Sequence, residues 1–396
     1  MKAVIFGAGK IARGFLGQLL FRGGYELNFV ECNASYARLL DRAGRYWVNV
    51  MGNPAESEWI NGYRCFDYDR VEEIADALVD ADVVFTSVVG SNLPELGKFI
   101  AKLLSIRDYT CITKQRTIIC CENWKNPSAE LKEIILNSLP TARKREDFLR
   151  LFGTTDAVVM RSAVEPTEEI KQIDPLAVSV HNFWELPVNS NGMKGNAPIF
   201  PGVRYLDNFN GFLQQKVYTF NGGNATIAYL GSLKGYKKLS DAANDPEIVE
   251  MLREVYSEIN PAICSALKVT EENQTHFMEA AIRKYQDRAV EDFTERHARD
   301  PLRKIGPDDR ITGVARMIEQ QNIRPVHVAR TLAAALLYTS SNTLDPSAAK
   351  LEELRTKFGI DYILQTICNI DPNEDLARLV HLGVQELKQR GWIHES

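Results

Sequence analysis

Residues 2–31, KAVIFGAGKIARGFLGQLLFRGGYELNFVE, carry the strongest structural signal in this chain of 396 residues. A short β-rich run, KAVIF, leads into a turn that contains Gly7 and Gly9. An apolar-periodic stretch follows, and a second β-rich run ends at Glu31. A strand, a glycine turn, a helix and a strand within about thirty residues are typical of a dinucleotide-binding βαβ unit. The stretch therefore predicts a Rossmann-type domain at the N-terminus.

The pattern continues beyond this unit. ADVVFTSVVG (81–90) and TIICCEN (117–123) are near-continuous apolar runs, as in the buried strands of a parallel sheet covered on both faces. The segments 71–80 and 93–105 have helical spacing. Alternating strands and helices favour an α/β fold with a doubly wound sheet.

The second half of the chain has a different pattern. From about residue 201, apolar residues recur at intervals of three and four, and prolines 246, 301, 325 and 346 lie near the expected helix starts. We therefore expect an NAD-binding domain over 1–200, with extra strands within 167–205, and an α-helical substrate-binding domain over 201–396. The predicted helical stretches are 206–230, 247–267, 273–295, 308–320, 325–339, 347–367 and 374–390.

Composition excludes several classes of protein. The net charge is −5, and no basic, aromatic-rich stripe suggests a nucleic-acid partner. No apolar run is long enough to span a bilayer, and the N-terminus reads as a strand rather than a secretory signal. The seven cysteines include no C-x-x-C pair, and no His/Cys/Asp cluster has metal-ligand spacing. We expect a cytoplasmic protein with reduced thiols, no metal and no membrane or nucleic-acid partner.

The glycine turn predicts the cofactor. Gly7 and Gly9 would let the backbone approach a pyrophosphate, which the helix N-terminus stabilises. Glu31 lies 22 residues after Gly9, where an acid bonds the ribose hydroxyls and repels a 2′-phosphate, so NAD is favoured over NADP. Arg13 is equally compatible with facing a phosphate and with a solvated helix face. The predicted cofactor residues are Gly7, Gly9, Lys10, Ile11, Ala12, Arg13, Glu31, Val88, Gly90 and Asn123.

A second candidate site lies in KVYTFNGGN (216–224). On a helix that turns 100° per residue, Lys216, Asn221 and Asn224 can loosely face one cleft. A partly buried lysine can take the proton of an alcohol, and amide groups can stabilise the resulting oxygen. Two glycines within a helix suggest a close approach by backbone, ligand or another helix. The residues alone favour the alternative of a surface lysine beside capping or turn asparagines.

Four blocks resemble the polyol-specific long-chain dehydrogenase family. FGAGKIARGFLG, CENWKN, KVYTFNGGNATIAYLG and DPLRKIGPDDR occur in the family's order and with similar spacing over essentially the whole chain. The run Arg13-Gly14-Phe15 is this family's form of the glycine turn. The resemblance implies a Rossmann domain, a helical substrate domain, and zinc-free NAD chemistry between a secondary alcohol and a ketone.

The resemblance also implies roles for particular residues. Lys216 matches the catalytic base, and Asn221 and Asn123 match the asparagines that hold the reacting oxygen. The family pattern expects a histidine three residues after Asn221, where this chain has Asn224. We expect this change to alter the choice of substrate. A relative that binds NAD without catalysis is the alternative.

The substrate is less sharply predicted. The family's Val-Asp-Arg signature reads Val159-Met160-Arg161 here, so the arginine is retained and the acid is lost. Basic residues that could meet a phosphate or a carboxylate follow residue 298, and a solvated basic face is equally compatible. Polyols, polyol phosphates and sugar acids such as hexuronates stay open, in a monomer or a homodimer. The candidate substrate residues are Arg161, Arg303 and Lys304, with Arg299 and Arg310 nearby.

Overall fold

The computed structural model describes residues 1–288, 292–340 and 345–393. The chain forms two compact units, Met1–Phe209 and Asn210–Ser396, called unit 1 and unit 2 below. None of the described helices is long and apolar enough to cross a membrane.

Unit 1 is built on a parallel sheet of six strands in the order β5-β2-β1-β6-β7-β8. This is the doubly wound order, in which the strand sequence reverses between β1 and β6 and leaves a crevice at the carboxyl ends. A four-stranded sheet, β4-β3-β10-β9, and a parallel pair, β11-β12, complete the unit. The strands are β1 Lys2–Phe6, β2 Glu26–Glu31, β3 Arg45–Val50, β4 Glu58–Asn61, β5 Arg64–Asp67, β6 Val83–Thr86, β7 Arg116–Cys120, β8 Phe152–Asp156, β9 Ala163–Val164, β10 Val178–Val180, β11 Leu186–Asn189 and β12 Val203–Leu206.

Helices cover both faces of the six-stranded sheet. Ala3 and Ile5 of β1 belong to one apolar cluster, whereas Val4 and Phe6 belong to another on the opposite face. The helix after β1 begins as a π-helix, Ala12–Gly17, here called the first π-segment. The predicted helices at 71–80 and 93–105 are confirmed. The helices of unit 1 are α1 Gln18–Arg22, α2 Ala34–Ala43, α3 Val71–Asp80, α4 Leu93–Ser105, α5 Pro127–Ser138, α6 Ala142–Leu151 and α7 Glu168–Ile173, with short 3₁₀ turns at Pro54–Glu56 and Gly90–Asn92.

Helices form unit 2. A π-helix, Val217–Asn221, interrupts its first long helix and is here called the second π-segment. Prolines 246, 301 and 346 lie in the first turns of helices and Pro325 lies just before one, as predicted. The helices are α8 Phe209–Lys216, α9 Gly222–Leu233, α10 Leu239–Ala243, α11 Pro246–Leu267, α12 Glu271–Gln286, α13 Thr294–Ala298, α14 Pro301–Lys304, α15 Thr312–Gln320, α16 Val326–Leu336, α17 Pro346–Thr366 and α18 Asp375–Gln389.

Two predicted boundaries differ from the structure. Unit 1 continues past residue 200, to Phe209, because β12 pairs with β11 over four residues; the strands predicted up to 205 reach Leu206, and the helix predicted from 206 begins at Phe209. The predicted helix over 273–295 is two helices, since α12 ends at Gln286 and α13 begins at Thr294. Backbone hydrogen bonds between 237–239 and 292–294 hold the chain extended there, so one continuous helix is excluded.

Candidate active site

The glycine turn of unit 1 is shaped by Gly7 and open at Gly9. Gly7 has a φ of +96°, and a Cβ at this position would lie 2.4 Å from the carbonyl oxygen of Ser87. Only glycine fits both conditions. A Cβ at Gly9 would meet no atom within 4 Å, so this face of the turn has room for a ligand beside the start of the helix.

Glu31 connects the end of β2 to the glycine turn. Its Oε2 accepts a hydrogen bond from the backbone N–H of Ala8 at 3.0 Å, and its Oε1 accepts one from the N–H of Asn33 at 2.9 Å. A carboxylate has further lone pairs, so these bonds leave capacity for hydroxyl donors. The structure therefore places the predicted ribose-binding acid beside the turn.

The residues that follow the turn have mixed environments. Ala12 is fully buried, and Ile11 packs against the same apolar cluster. Lys10 is exposed and forms an ion pair with Glu165 at 2.6 Å. The side chains of Lys10, Ile11 and Ala12 therefore lie at the start of the helix. Their contacts with a cofactor stay a prediction.

Arg13 corrects the sequence analysis. It is buried rather than on a solvated helix face. Its Nε donates to the carbonyl oxygen of Ala8 at 2.9 Å, and its Nη1 donates to that of Leu176. The guanidinium also lies over the ring of Tyr46, 5.2 Å from the centroid. Arg13 thus fixes the back of the glycine turn from inside unit 1.

A buried carboxyl joins the next two strand ends. Glu122, just after β7, accepts hydrogen bonds from the Thr86 hydroxyl at 2.8 Å and from the N–H of Val88 at 3.0 Å. Burial raises the pKa of Glu122. The bonds hold the predicted Val88 at the carboxyl edge of the sheet and leave Asn123, the next residue, exposed at that edge. Sequence reasoning missed this role of Glu122.

Gly90 follows Val88 at the same edge. A Cβ at Gly90 would lie 2.4 Å from the indole ring of Trp124, so glycine is needed for the ring to pack there. The indole Nε1 donates to Glu130 at 2.9 Å. This predicted cofactor residue therefore has a packing role of its own.

In unit 2, Lys216 and Asn221 lie on either side of the second π-segment. Lys216 ends α8, and Asn221 is the last residue of the segment. The N–H of Gly222 reaches the carbonyl oxygen of Val217, five residues earlier. The assumed rotation of 100° per residue therefore does not hold here. Because a π-helical turn spaces bonded residues by five, it brings Lys216 and Asn221 onto the same side of the helix.

Tyrosine hydroxyls stabilise the carbonyls of the second π-segment. Tyr256 donates to the oxygen of Thr219 at 2.9 Å, and Tyr285 donates to that of Phe220 at 2.5 Å. A Cβ at Gly223 would lie 2.1 Å from the Tyr256 hydroxyl. The predicted close approach at the glycine pair is therefore confirmed at Gly223, and its partner is a side chain of another helix.

The environment of Lys216 suits a proton acceptor. Its side chain is half-buried, and no carboxylate of the described chain forms an ion pair with it. Burial and repulsion by Arg310 lower the pKa of Lys216 to about 8. A general base works best when its pKa is near the operating pH, so this lysine has the required property.

Other cations surround Lys216. Burial and the charge of Lys216 lower the pKa of Lys284 to about 8. Lys284 directly precedes Tyr285, which bonds to the second π-segment. The carbonyl oxygen of Arg310 lies 3.2 Å from the Cβ position of Gly222. Lys216, Lys284 and Arg310 are here called the basic cluster; Asp309 forms an ion pair with Arg310 at 2.7 Å, and the charge of Asp292 partly offsets the lowering of the pKa of Lys284.

The basic residues predicted to meet the substrate have protein partners. Arg303 bonds to Asp300 at 2.6 Å and to Asp309 at 3.0 Å. Lys304 is buried and donates to the carbonyl oxygens of His297 and Arg299. Their contact with substrate stays a prediction.

Arg161 lies in the core of unit 1. Its Nη1 donates to the oxygen of Gly14 at 3.1 Å and to Gln18 Oε1 at 2.7 Å, and its Nε donates to the oxygen of His181 at 2.6 Å. Burial and repulsion by Arg22 lower its pKa to about 9. These bonds indicate a packing role for the predicted substrate residue.

Asn224 contacts a histidine that the sequence analysis missed. Its Nδ2 lies 2.8 Å from His297 Nδ1, and His297 Nε2 lies 2.6 Å from Asp292 Oδ2. Seventy-three residues separate Asn224 from His297, so no local pattern joins them. One signal was available: His297 and Asp292 immediately precede the DPLRKIGPDDR block that carries the family resemblance.

Comparison with known proteins agrees with both units. Residues 1–202 match the family model described as the mannitol dehydrogenase Rossmann domain, and residues 208–381 match the mannitol dehydrogenase C-terminal domain. A mannitol-1-phosphate 5-dehydrogenase of Bacillus licheniformis is 32% identical over 389 residues, which cover 96% of this chain and 98% of that protein. One of Thermoanaerobacter pseudethanolicus is 29% identical over 393 residues, 98% of either chain.

Two solved structures share the fold. A substrate-free D-sorbitol dehydrogenase has a TM-score of 0.80 at 16% identity, covering 98% of this chain and 93% of its own. A Pseudomonas fluorescens mannitol 2-dehydrogenase, in a ternary complex with NAD and D-mannitol, has a TM-score of 0.69 at 16% identity, covering 99% and 92%. The predicted α/β domain followed by a helical domain is confirmed. The chain belongs to the mannitol dehydrogenase family.

Proposed function

We propose that this protein is an NAD-dependent dehydrogenase that interconverts a secondary alcohol of a polyol phosphate and the corresponding ketose. The observation that carries the proposal is the second π-segment with Lys216. This lysine is half-buried, its pKa is lowered to about 8, and the π-helical turn brings it to the same side as Asn221. A base beside an amide donor is the arrangement that oxidation of an alcohol requires.

Unit 1 has groups that fit the cofactor. The open face of Gly9 and the N–H groups at the start of the helix would hold the pyrophosphate, and Glu31 would accept hydrogen bonds from the adenosine ribose. Val88, Gly90 and Asn123 lie at the carboxyl edge of the sheet, where a doubly wound fold binds its ligand. When bound, NAD supplies the acceptor for the hydride.

Residues of this chain supply the rest of the chemistry. In oxidation, the Nζ of neutral Lys216 takes the proton of the substrate hydroxyl. The hydride leaves the carbon that bears this hydroxyl, so that a ketone forms. In reduction, protonated Lys216 returns that proton to the oxygen. The amide N–H group of Asn221 stabilises the partial negative charge on the reacting oxygen, and the family resemblance implies the same role for Asn123. This scheme is zinc-independent, because the lysine and the amides act where a metal would polarise the oxygen.

The basic cluster favours a phosphorylated substrate. Lys284 and Arg310 surround Lys216 with positive charge, and their mutual repulsion would be relieved by an anion. Lys284 and Arg310 are the candidates for the phosphate because they lie beside the proposed base, and Arg310 keeps an ion pair with Asp309 at 2.7 Å. The names of the curated relatives support a substrate of the mannitol 1-phosphate type. We also propose a cytoplasmic location and a monomer or homodimer.

A panel of substrates tests the proposal. Reduction of NAD is followed at 340 nm with mannitol, mannitol 1-phosphate and other hexitol phosphates, and oxidation of NADH is followed with ketose phosphates and hexuronates. We expect turnover to be fastest with a phosphorylated hexitol. Faster turnover of a hexuronate would indicate that the substrate carries a carboxylate and not a phosphate. Binding of NADH without turnover of any compound would contradict the proposal of an active dehydrogenase and support a relative that binds NAD without catalysis.

Matched lysine variants test the base. Lys216→Met should lower kcat by about 10³-fold, within the range for loss of a general base. Lys132→Met, in the exposed face of α5, is the control and should keep wild-type activity. Equal activity of the two variants would exclude Lys216 as the base.

A further inference from the structure

Three polar side chains of unit 2 form a chain of hydrogen bonds that the proposed chemistry does not use. It runs from Asn224 in α9 through His297 in α13 to Asp292, with contacts of 2.8 and 2.6 Å. Arg296 also bonds to Asp292 at 2.8 Å. The side chains of His297 and Asp292 are only 21% and 17% exposed, so water competes weakly for these bonds.

The charge of Asp292 determines which nitrogen of His297 carries a proton. Burial acts to raise the pKa of Asp292, but the hydrogen bond from His297 and the nearby Arg296 lower it to about 2. An ionised carboxylate can only accept, so His297 Nε2 must donate to it. In neutral imidazole the other nitrogen, Nδ1, is then an acceptor.

The state of His297 in turn determines the orientation of Asn224. When the ring is neutral, Nδ1 accepts and Asn224 presents its NH₂ group to it, which is the orientation of the 2.8 Å contact between Nδ2 and Nδ1. Its Oδ1 then points away from His297, and this oxygen is buried without a hydrogen-bond partner among the described residues. Leaving a buried acceptor unpaired is costly, so such an atom calls for a donor that binds to it.

The hydrogen-bond chain is not needed to hold α13 in place. The Tyr229 hydroxyl donates to the oxygen of Ala298 at 3.0 Å, and Lys304 donates to the oxygen of His297. These bonds use the backbone of α13 and leave the imidazole for another purpose. Asn224 itself lies three residues after Asn221, one turn along the helix from the proposed oxygen-binding amide.

We propose that His297 and Asp292 are positioning residues that orient Asn224 so that its Oδ1 accepts a hydrogen bond from a hydroxyl of the substrate other than the reacting one. The inference rests on the proposed function, since it takes a polyol chain as the ligand. In this proposal Asn224 Oδ1 recognises a hydroxyl of the substrate, whereas the basic cluster recognises its phosphate. An acceptor of fixed orientation distinguishes a hydroxyl from a hydrogen at that carbon.

The protonation pattern is tested without activity. Nitrogen NMR of ¹⁵N-histidine-labelled protein, with the His297 signals assigned by their loss in His297→Gln, should show a proton on Nε2 and none on Nδ1. Asp292→Asn should reverse this pattern, because an amide can donate to Nε2. A proton on Nδ1 in the wild type would overturn the proposal.

Kinetics test the contact with the substrate. His297→Leu should raise KM for mannitol 1-phosphate about 10-fold and change kcat less than about 3-fold, because the lost bond acts equally on ground and transition states. His297→Gln, which keeps one donor and one acceptor, should stay within about 3-fold of wild type. Arg296→Met removes an ion pair of Asp292 but not the hydrogen-bond chain, so it serves as the control and should have unchanged kinetics.

Deoxy substrates separate this role from a structural one. For the wild type, one hexitol phosphate that lacks a single hydroxyl should have kcat/KM about 10-fold below that of the parent. In His297→Leu that difference should vanish. An undiminished preference in His297→Leu would overturn the proposal. Should the wild type turn over no polyol phosphate, the proposed function fails first, and the proposal of a substrate contact fails with it even if NMR shows the expected tautomer.

Discussion

The two π-segments use the same backbone arrangement for different ends. In the first, the Tyr46 hydroxyl donates to the oxygen of Arg13 at 3.0 Å, and a Cβ at Gly17 would lie 2.5 Å from that hydroxyl. In the second, Tyr256 donates to the oxygen of Thr219 at 2.9 Å, and Gly223 provides the space. In both, a tyrosine bonds a carbonyl of the π-helix and a nearby glycine lets it approach.

The difference lies in the side chains. Every residue of Ala12–Gly17 is buried, so the first π-segment packs a helix and leaves binding to the backbone of the preceding turn. The second ends at Asn221, which is half-buried, and follows Lys216, which is also half-buried. A π-helical turn thus adjoins the proposed backbone site in unit 1 and the proposed side-chain site in unit 2. Variants of the two units should therefore have separable effects.

The largest expected effects separate cofactor binding in unit 1 from catalysis in unit 2. Gly9→Ala should weaken NADH binding by at least about 10-fold without loss of stability, because its methyl group enters the space where a pyrophosphate would approach and touches nothing in the protein. Lys216→Met should lose about 10³-fold in kcat and bind NADH as the wild type does. Fluorescence titration and initial rates measure the two effects. A Lys216→Met protein that fails to bind NADH would contradict the separation.

The pH dependence should come from Lys216. Oxidation needs the neutral amine, and Lys216 has a pKa of about 8, so the rate should rise about tenfold per pH unit below 8 and level off above it. Reduction needs the protonated amine and should decline above pH 8. Initial rates in both directions from pH 6 to 10 provide the measurement. Parallel profiles for the two directions would exclude a single base.

The next largest effects are expected from Gly223 and Gly17, the glycines that contact the tyrosine hydroxyls. Gly223→Ala and Gly17→Ala should each cost about 1–3 kcal/mol of unfolding free energy, because each adds a methyl group in contact with a buried hydroxyl. Gly223→Ala should also lower kcat, and Gly17→Ala should instead affect NADH binding. The double variant Gly223→Ala/Tyr256→Phe should recover part of the loss. Denaturant titration and kinetics measure these effects, and additive losses would contradict the proposed clash.

The tyrosine hydroxyls should matter less. Tyr256→Phe leaves the oxygen of Thr219 with the N–H of Gly222 and the longer contact from Tyr285 at 3.5 Å, and Tyr46→Phe removes the side-chain donor to the oxygen of Arg13. Each should cost about 0.5–1.5 kcal/mol, as for the loss of one intramolecular hydrogen bond. Denaturant unfolding measures the loss. Tyr205→Phe, whose hydroxyl bonds to Pro198 in unit 1, is a control that should leave kcat unchanged.

The smallest effect concerns stability. The pKa of Lys216 is lower in the folded protein than in the unfolded chain, so the folded state binds fewer protons between pH 8 and 10.5 and stability rises with pH there. At pH 7 the charged lysine therefore costs stability. Lys216→Met should raise Tm by a few degrees at pH 7 and by less near pH 10. A lower Tm at pH 7 would contradict the unfavourable burial of the charge.

Sequence reasoning was most successful where the structure is local. The strand, glycine turn and second strand over 2–31 depend on neighbouring residues, as do the helices at 71–80 and 93–105. The positive φ of Gly7 and the position of Glu31 follow from the same turn. Local patterns were enough to recognise this turn, although the distant Ser87 carbonyl and the contact of Arg13 with Leu176 also shape it.

Reasoning from sequence was weaker where distant residues meet. The π-helical turn after Lys216 depends on tyrosines 256 and 285, which apolar spacing does not reveal. Arg13 was placed in solvent or on a phosphate because its acceptor at Leu176 lies 163 residues away. The same holds for His297, whose partner Asn224 was expected to act alone.

The basic cluster also makes unit 2 unusual in its chemistry toward reagents. An ordinary lysine with a pKa near 10.4 is about 0.1% neutral amine at pH 7.5, whereas one with a pKa of about 8 is roughly a quarter neutral. Amine-directed labels small enough to reach half-buried side chains would therefore react at Lys216 and Lys284 before most of the surface lysines. Peptide mapping by mass spectrometry would detect this order. Reductive methylation or random dye labelling of this protein would thus modify the basic cluster of unit 2 early.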